Sequence, residues 1–252
     1  MPLLVTDAIV LHAFDYLESS RIIRLLTRDA GVQSALARGA RKSRGRYGTA
    51  LDLFAEGSAQ LYVKPNRELH NLAGFEIART RSELAEDVGR FTAASTIAEL
   101  ALRFAGEESN PHLYDTVADV LDRIARSDPD HTLEDGLAGC WRIVSALGFT
   151  PELSSCALCH TPLRDADDAT FSHSSGGIIC PACSSLAPRG RRIPSSARTA
   201  IRHWLEGDES RLTDAEARSH QRLLREFLGA HITDDRPLRA FAVWEHERWS
   251  AA

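Results

Sequence analysis

Four of the five cysteines stand in two closely spaced pairs, and their spacing is that of metal ligands. The pairs are Cys156 with Cys159 and Cys180 with Cys183, and twenty residues separate the two pairs. In a C-x₂-C knuckle both thiolates reach one ion at about 2.3 Å, and a second knuckle completes a tetrahedron. The spacing therefore predicts a single Zn²⁺ site. Four protein ligands leave no open coordination position, which favours a structural ion over a catalytic one.

Two other interpretations of these residues stay open at this point. The cysteine pairs could be redox dithiols, although that motif normally opens a helix after a strand, and neither pair is placed in that way. His160 or His173 could replace one cysteine as a ligand, or could simply lie at the surface. The fifth cysteine, Cys140, falls in an apolar helical stripe, and we expect it to be a buried thiol in a core.

A second cluster of functional residues is cationic and occupies nine positions. It contains Arg38, Arg41, Lys42, Arg44 and Arg46, interspersed with two glycines. Long cationic side chains on a flexible loop can follow a phosphate backbone, and each neutralised phosphate releases counterions. The cluster therefore predicts contact with DNA or RNA. The alternative is an ordinary solvated run of charge.

Several further residues near the two clusters allow a binding role or a structural one. Four aromatic residues close to the basic loop either stack on bases or pack in a core: Tyr47, Phe54, Tyr62 and Phe75. A second basic cluster follows the cysteines and either extends a binding path or solvates a loop: Arg189, Arg191 and Arg192.

The segments on either side of the basic loop have the sequence pattern of β-strands. Residues 1–79 contain about five short apolar runs separated by turn signals, which predicts a five-stranded barrel of the OB-fold type. Residues 1–80 hold eleven Lys and Arg against eight Asp and Glu, a formal charge of +3. Because the whole chain carries −5, the remainder carries −8. This asymmetry indicates an anion-facing N-terminal part joined to an acidic body.

The hydrophobic period becomes helical at residue 80. Thr80 to Glu83 has the form of a capping box, and Leu84, Val88 and Phe91 begin an apolar stripe. Asn110 with Pro111 is typical of a second helix start. We therefore predict an α+β multidomain protein with four parts: an OB-fold barrel (1–79), a helical bundle in two segments (80–150 and 193–252), and an inserted zinc-ribbon-like module (151–192).

Composition and missing motifs exclude several classes of protein. Hydrophobic residues make up 43% and charged residues 26%, which is an ordinary globular mixture. No apolar run reaches the roughly 20 residues that span a bilayer, and an acid stands where a signal peptide carries basic residues, so we expect a cytoplasmic protein without membrane contact. A zinc-dependent hydrolase or deaminase is the enzyme alternative. Because H-E-x-x-H, a P-loop and a deaminase signature are all absent, no catalytic residue is predicted.

Together these segments resemble the RecO family, bacterial recombination mediators of DNA repair, over nearly the whole chain. The matching segments are Leu25–Gly31, Arg38–Lys42, Leu51–Phe54 and Phe171–Cys180, with the four cysteines where zinc-bearing members have theirs. The resemblance implies an OB-fold that binds single- and double-stranded DNA and anneals complementary strands. It also implies cooperation with RecR in helping RecA displace single-strand-binding protein, without turnover chemistry, in the cytoplasm at the nucleoid.

The resemblance further implies that the helical domain holds the acidic, hydrophobic C-terminal tail of single-strand-binding protein, although no tail-binding residue can be matched. This chain departs from a basic DNA-binding protein in its net charge of −5, so any DNA surface must be confined to patches. The alternative to a mediator is a zinc-ribbon interaction adaptor without direct DNA contact. Neutralising the basic loop separates the two, because an adaptor would keep its DNA affinity unchanged.

Overall fold

A computed structural model describes residues 2–41, 47, 50–64, 67–165, 169–187, 190–231 and 237–246. The chain forms two compact units, residues 1–129 and 130–252. Within the described ranges no helix combines the length and the apolar character that a bilayer crossing needs.

Unit 1 opens with five strands that close into a barrel. They are β1 (Leu3–Tyr16), β2 (Ser20–Thr27), β3 (Gly31–Ala37), β4 (Glu56–Tyr62) and β5 (Leu69–Arg79). The order around the barrel is β1-β2-β3-β5-β4, with β4 closing onto β1. Only the β3–β5 pair is parallel, and the long connection from residue 38 to residue 55 allows that crossover.

The barrel core comes from the inward-pointing residues of each strand. Ile23 and Leu25 of β2 and Ala35 and Ala37 of β3 are fully buried, whereas the residues between them point outward. The β1–β2 register shifts between Val10 and His12, and such a bulge bends a strand where a barrel must close. β1 is therefore long enough to pair with β4 through its first half and with β2 through its second half.

Gly31 is required by its surroundings at the turn that leads into β3. Its φ is +59°, a left-handed conformation that favours glycine. A Cβ atom at this position would lie only 2.5 Å from the carbonyl oxygen of Glu108. The adjacent Val32 N–H donates to the carbonyl of Gly106 at 2.9 Å, so the turn fits tightly against the segment that follows the first long helix.

Three helices complete unit 1. They are a 3₁₀ helix (Ser82–Ala85), α1 (Val88–Phe104) and α2 (Pro111–Arg126). The predicted start of α2 is correct, because the Asn110 side chain accepts from the Leu113 N–H at 2.9 Å and Pro111 occupies the first turn. The predicted start of α1 is wrong. Thr80 to Glu83 leads only into the 3₁₀ helix, and Asp87 caps α1 by accepting from the Arg90 N–H at 2.8 Å.

The contacts of Arg81 explain why no α-helix begins at the predicted capping box. Its guanidinium is almost fully buried, and its Nε donates to Oδ1 of Asp122 at 2.6 Å. Nη2 donates to Oε2 of Glu56 at 2.6 Å, and Nη1 donates to the carbonyl of Phe54 at 2.8 Å. These bonds hold the end of β5 against β4 and α2. Removing one partner of such a buried pair is strongly destabilising.

The described residues of unit 2 form four α-helices and a small sheet. The helices are α3 (Thr132–Ala146), α4 (Ser195–Glu206), α5 (Asp214–His231) and α6 (Arg239–His246), and the strands are β6 (Ala169–Ser172), β7 (Gly177–Ile179) and β8 (Arg191–Ile193). The sheet order is β7-β6-β8, and a 3₁₀ helix (Pro181–Leu186) connects β7 to β8. The sheet is thus an insertion between α3 and α4.

Aromatic side chains join the small sheet of unit 2 to its helices. Phe227 of α5 lies 5.2 Å from the Trp141 ring of α3 and 5.9 Å from the Phe171 ring of β6, measured between centroids. All three rings are fully buried. The sheet therefore packs on the helices through a continuous aromatic core. The prediction of an α+β protein with an N-terminal five-stranded barrel, a helical region and an inserted cysteine-bearing sheet is confirmed.

Candidate metal centre and nucleic-acid interface

The four paired cysteines converge in unit 2. The Sγ atoms of Cys156, Cys159, Cys180 and Cys183 all lie within 4.8 Å of one another, and the Cys159 and Cys180 sulfurs are 3.7 Å apart. Sulfurs held about 2.3 Å from one tetrahedral ion lie about 3.8 Å apart, so this spacing fits a single ion. His160 and His173 do not belong to the group, which among the described residues consists of these four cysteines.

Backbone hydrogen bonds around the first cysteine pair form a tight knuckle. The Cys156 N–H donates to the Thr161 carbonyl at 2.9 Å, and the Cys156 carbonyl accepts from the His160 N–H at 2.8 Å. Both sulfurs therefore face the same side of the turn. Gly177 permits the close approach of this segment to β7, because a Cβ there would lie 2.3 Å from the Glu152 carbonyl oxygen.

The second pair is positioned by the 3₁₀ helix. Cys180 caps that helix and Pro181 begins it, so the Cys183 N–H donates back to the Cys180 carbonyl at 3.0 Å. The Cys180 N–H points at the first pair and donates to Sγ of Cys156 at 3.4 Å. This hydrogen bond from the Cys180 backbone to the Cys156 sulfur joins the two knuckles directly.

The surroundings of the first cysteine pair favour the thiolate form. Burial by itself raises the pKa of Cys156, but the N–H groups of Cys180, Cys159 and Leu158 outweigh it and lower that pKa to about 6. In contrast, burial alone raises the pKa of the Cys140 thiol in α3, which keeps that side chain neutral. Metal ions bind thiolates rather than thiols. The four-cysteine cluster can therefore hold one metal ion, and Cys140 is a core residue.

A charged cluster attaches the sheet of the cysteine module to helix α5. Glu226 accepts from Nε of Arg191 at 3.1 Å, and its Oε2 lies 3.0 Å from Nε2 of His173. Arg191 belongs to β8, and His173 follows β6 directly. His173, one of the alternative ligands, thus contacts a carboxylate of α5 instead of an ion.

The barrel of unit 1 carries a row of apolar side chains on its outer surface. The row follows cross-strand partners: Phe14 pairs with Ile22, Ile22 with Leu36, Leu36 with Asn71, Asn71 with Tyr62, and Tyr62 with Leu3. Directly paired residues project from the same face of a sheet. Since Ile23, Ala35 and Ala37 fill the core, their neighbours in this row point outward. Phe14 and Tyr62 are each 43% exposed. We call this set the outer row.

Cations lie beside the outer row at both ends. Arg38 is the first residue after β3, two residues beyond Leu36; it is exposed and makes no ion pair in the described parts of the chain. Lys64 and Arg67 lie in the β4–β5 connection that follows Tyr62. The face of β2 and β3, with the β1–β2 and β4–β5 loops, is the surface on which OB-folds bind oligonucleotides. Exposed rings beside cations suit stacked bases and phosphates.

Two residues of the predicted basic loop are described. Arg38 lies at the end of β3. Arg41 contacts the β1–β2 turn: its Nη1 donates to the Leu17 carbonyl at 3.3 Å, and its N–H donates to the Ser19 carbonyl at 3.2 Å. Lys42, Arg44 and Arg46 lie outside the described residues. The base of the loop is therefore fixed beside the outer row.

The structure separates the four aromatic candidates. Tyr47 is buried with its hydroxyl donating to the Leu72 carbonyl at 3.0 Å, Phe54 is buried, and Phe75 packs against the barrel core. Tyr62 alone of the four lies on the exposed surface. The sequence analysis missed Phe14. The alternation of His12, Phe14 and Tyr16 with smaller or acidic residues would have indicated an outward-facing series if β1 had been extended beyond His12.

Of the second basic cluster, Arg191 is engaged within unit 2, and Arg192 is exposed. Arg191 pairs with Glu226, as described above, and the neighbouring Arg202 pairs with Asp165. Arg198 is buried and donates to the Arg164 carbonyl. Arg189 lies outside the described residues. The contacts of Arg191 favour a structural role for it over an extension of the binding path.

Comparison with known proteins relates both units to one family. The model "Recombination protein O N terminal" matches residues 1–81, and "Recombination protein O C terminal" matches residues 85–240. A DNA repair protein RecO from Gloeobacter violaceus is 34% identical over an alignment of 236 residues that covers 90% of this chain and 87% of that protein. One from Symbiobacterium thermophilum is 30% identical over an alignment of 252 residues that covers 98% of this chain and 94% of that protein. The chain, with its barrel, helical region and four-cysteine cluster, therefore belongs to the RecO family of DNA repair proteins.

Proposed function

We propose that this protein is a non-catalytic recombination mediator that binds single- and double-stranded DNA and anneals complementary strands. The observation that carries the proposal is the outer row, an exposed band around the barrel that includes the rings of Phe14 and Tyr62 and passes through Leu36 of β3, two residues before Arg38 and the base of the basic loop. Rings that stack on any base, next to cations that contact phosphates, hold a strand without reading its sequence. Annealing requires that tolerance, because the two strands must find their own register.

The partners in this proposal follow from membership of the RecO family. The protein acts with RecR to help RecA load onto single-stranded DNA that single-strand-binding protein covers. The barrel (1–79) contacts DNA, and the helical segments hold the C-terminal tail of single-strand-binding protein. The four-cysteine cluster holds Zn²⁺ as a structural ion in the module 151–192. Cys156, Cys159, Cys180 and Cys183 are its ligands, and the ion supplies folding energy rather than chemistry.

Salt dependence of DNA binding tests the proposal directly. The full-length protein is titrated against a labelled single-stranded oligonucleotide between about 50 and 200 mM salt. Each phosphate contact on a single strand contributes about −0.7 to the slope of log affinity against log salt, so five loop cations predict a slope of about −3.5. Binding that weakens in this way leads to annealing assays with RecR and single-strand-binding protein. If the protein shows no binding even at about 50 mM salt, it is an adaptor that reaches DNA only through partners.

The outer row predicts a selective effect on single strands. Phe14→Ala or Tyr62→Ala is expected to weaken binding to a single-stranded oligonucleotide about tenfold, because a stacked base contributes about 1–3 kcal/mol. Affinity for duplex DNA should change less than about twofold, since its bases are already stacked on one another. The measurement is parallel titration of each variant with single-stranded and duplex DNA of the same length.

Phe91→Ala is the matched control for these two variants. Phe91 is another exposed ring of unit 1, at 38% exposure, but it lies on α1 and not on the outer row. Its removal should leave affinity for both forms of DNA unchanged. Equal losses on single-stranded and duplex DNA for Phe14→Ala and Tyr62→Ala would contradict stacking on unpaired bases.

A further inference from the structure

One carboxylate lies between two arginines at the base of the basic loop. Asp15, next to the end of β1, has its Oδ1 3.2 Å from Nε of Arg21 and its Oδ2 3.2 Å from Nε of Arg41. The side chains are open to water, with Asp15 52% exposed, Arg21 36% and Arg41 40%. The carboxylate therefore presents one anionic oxygen to each guanidinium on a solvent-exposed surface.

These two arginines lie at the β1–β2 turn, one of the loops with which OB-folds bind oligonucleotides, so a bound strand would place phosphates near them. Arg21 is the direct cross-strand partner of Asp15 beside that turn, and Arg41 bonds to the carbonyls of Leu17 and Ser19 within it. Arg41 also begins the part of the basic loop whose charge predicted phosphate contact. Asp15 thus engages two cations at the base of the basic loop, whereas Arg38 has no acidic partner among the described residues.

We propose that Asp15 is an intramolecular competitor for DNA phosphate that limits how tightly the outer row and basic loop hold a strand. The inference rests on the proposed DNA-binding function of this face. A carboxylate and a phosphate both bind guanidinium through anionic oxygens, so a phosphate must displace Asp15 or share its arginines. Exposed ion pairs are weak, so they yield to DNA and do not block it. The effect is a lower affinity and a faster release of the strand.

Such a limit suits a protein that joins strands and then leaves them. Contacts with phosphate persist after annealing, because a duplex presents the same phosphates as its two strands. A protein that held phosphates at full strength would remain on its product. By restoring its own ion pairs with Arg21 and Arg41, Asp15 favours the dissociated state without any change in the rings that contact bases.

Asp15→Asn tests the proposal because it removes the charge and keeps the shape. We expect the full-length variant to bind a single-stranded oligonucleotide about fivefold tighter at about 100 mM salt, with slower dissociation. Two released arginines should also steepen the slope of log affinity against log salt by up to about 1.4. A merely structural role of Asp15 would not steepen that slope. Asp15→Glu keeps the carboxylate and should behave as the parent does.

Glu83→Gln is the charge-matched control. It removes the same charge from unit 1, but Glu83 lies in the 3₁₀ helix after β5 and makes no ion pair among the described residues. Its effect on DNA affinity should stay below about twofold. If Asp15→Asn binds DNA no tighter than Glu83→Gln while the parent binds normally, Asp15 only positions Arg41, and the inference is overturned. Absence of DNA binding by the parent protein would instead reject the proposed function, and the inference with it.

Discussion

Replacing Cys156 by serine is expected to remove the bound metal ion and to lower the melting temperature by about 10 °C. The Cys156 side chain is fully buried, its sulfur lies within 4.8 Å of the other three sulfurs, and among the described residues no other metal-binding side chain joins this group. Structural zinc contributes free energy to folding because the unfolded chain does not hold the site together. A loss of about 4 kcal/mol shifts the melting of a chain of this size by about 10 °C.

The four cysteines share a small buried cluster. It consists of Cys156, Ile179, Cys180 and Ala187, with Leu163 and Cys183 packed against it. Two of those four buried side chains belong to the four-cysteine group. Because this part of the module buries little apolar surface of its own, a bound ion is expected to contribute to its stability. Serine at position 156 would leave three sulfurs, one fewer than a closed tetrahedral site needs.

Cys140→Ala provides the matched control for the loss of a buried thiol. Cys140 packs in α3 outside the metal cluster, and its truncation should cost about 1 kcal/mol while keeping one bound ion. Metal content is measured by elemental analysis of the purified proteins, and unfolding by calorimetry. If the parent contains no zinc and Cys156→Ser melts at the same temperature as the parent, the cluster is not a structural zinc site.

Features of this protein that depend on local spacing could be predicted from the sequence. The two C-x₂-C knuckles are such a case, because the geometry of each turn is set within four residues. Asn110 with Pro111 is another, since a helix cap involves only the first turn of the helix. The number of barrel strands was also predictable, because turn residues separate each apolar run.

Features that depend on contacts distant in sequence could not be predicted. The capping box at Thr80 failed because Arg81 bonds instead to Glu56 and Asp122, which are 25 and 41 residues away. The predicted apolar stripe of α1 was wrong for a similar reason. Val88 and Phe91 are exposed, while α1 buries Ala94, Ile97 and many others around most of its circumference, so no single face defines its orientation.

The outer row shows the same limit at the candidate site. Phe14, Leu36 and Tyr62 are far apart in sequence and belong to one row only through the register of four strand pairs. A local pattern indicates which residues of a strand share a face, but it does not indicate which strand lies beside it. The sequence analysis therefore located the cations, which cluster along the chain, and missed the exposed ring beside them.

Neutralising the basic loop is expected to weaken binding to single-stranded DNA by about two to three orders of magnitude at about 100 mM salt. The variant changes Arg38, Arg41, Lys42, Arg44 and Arg46 to glutamine. Each lost phosphate contact removes about 0.7 from the magnitude of the salt slope, so the loss of five contacts should reduce it by about 3.5. Binding to duplex DNA should fall as well, because these contacts are made to phosphates and not to bases. Annealing of complementary strands should then be undetectable at protein concentrations where the parent is active.

A control with arginines of unit 2 separates loop contacts from a change in net charge. Arg211, Arg218 and Arg222 are exposed, and their joint change to glutamine lowers the net charge by three without touching the barrel. If charge in general attracted DNA to the protein, the loss of affinity per removed cation would be equal in the two variants. A loss confined to the loop variant, with an unchanged melting temperature, supports phosphate contact at the barrel. Unchanged affinity in the loop variant would mean that the loop is a solvated charge run and that the protein acts as an adaptor.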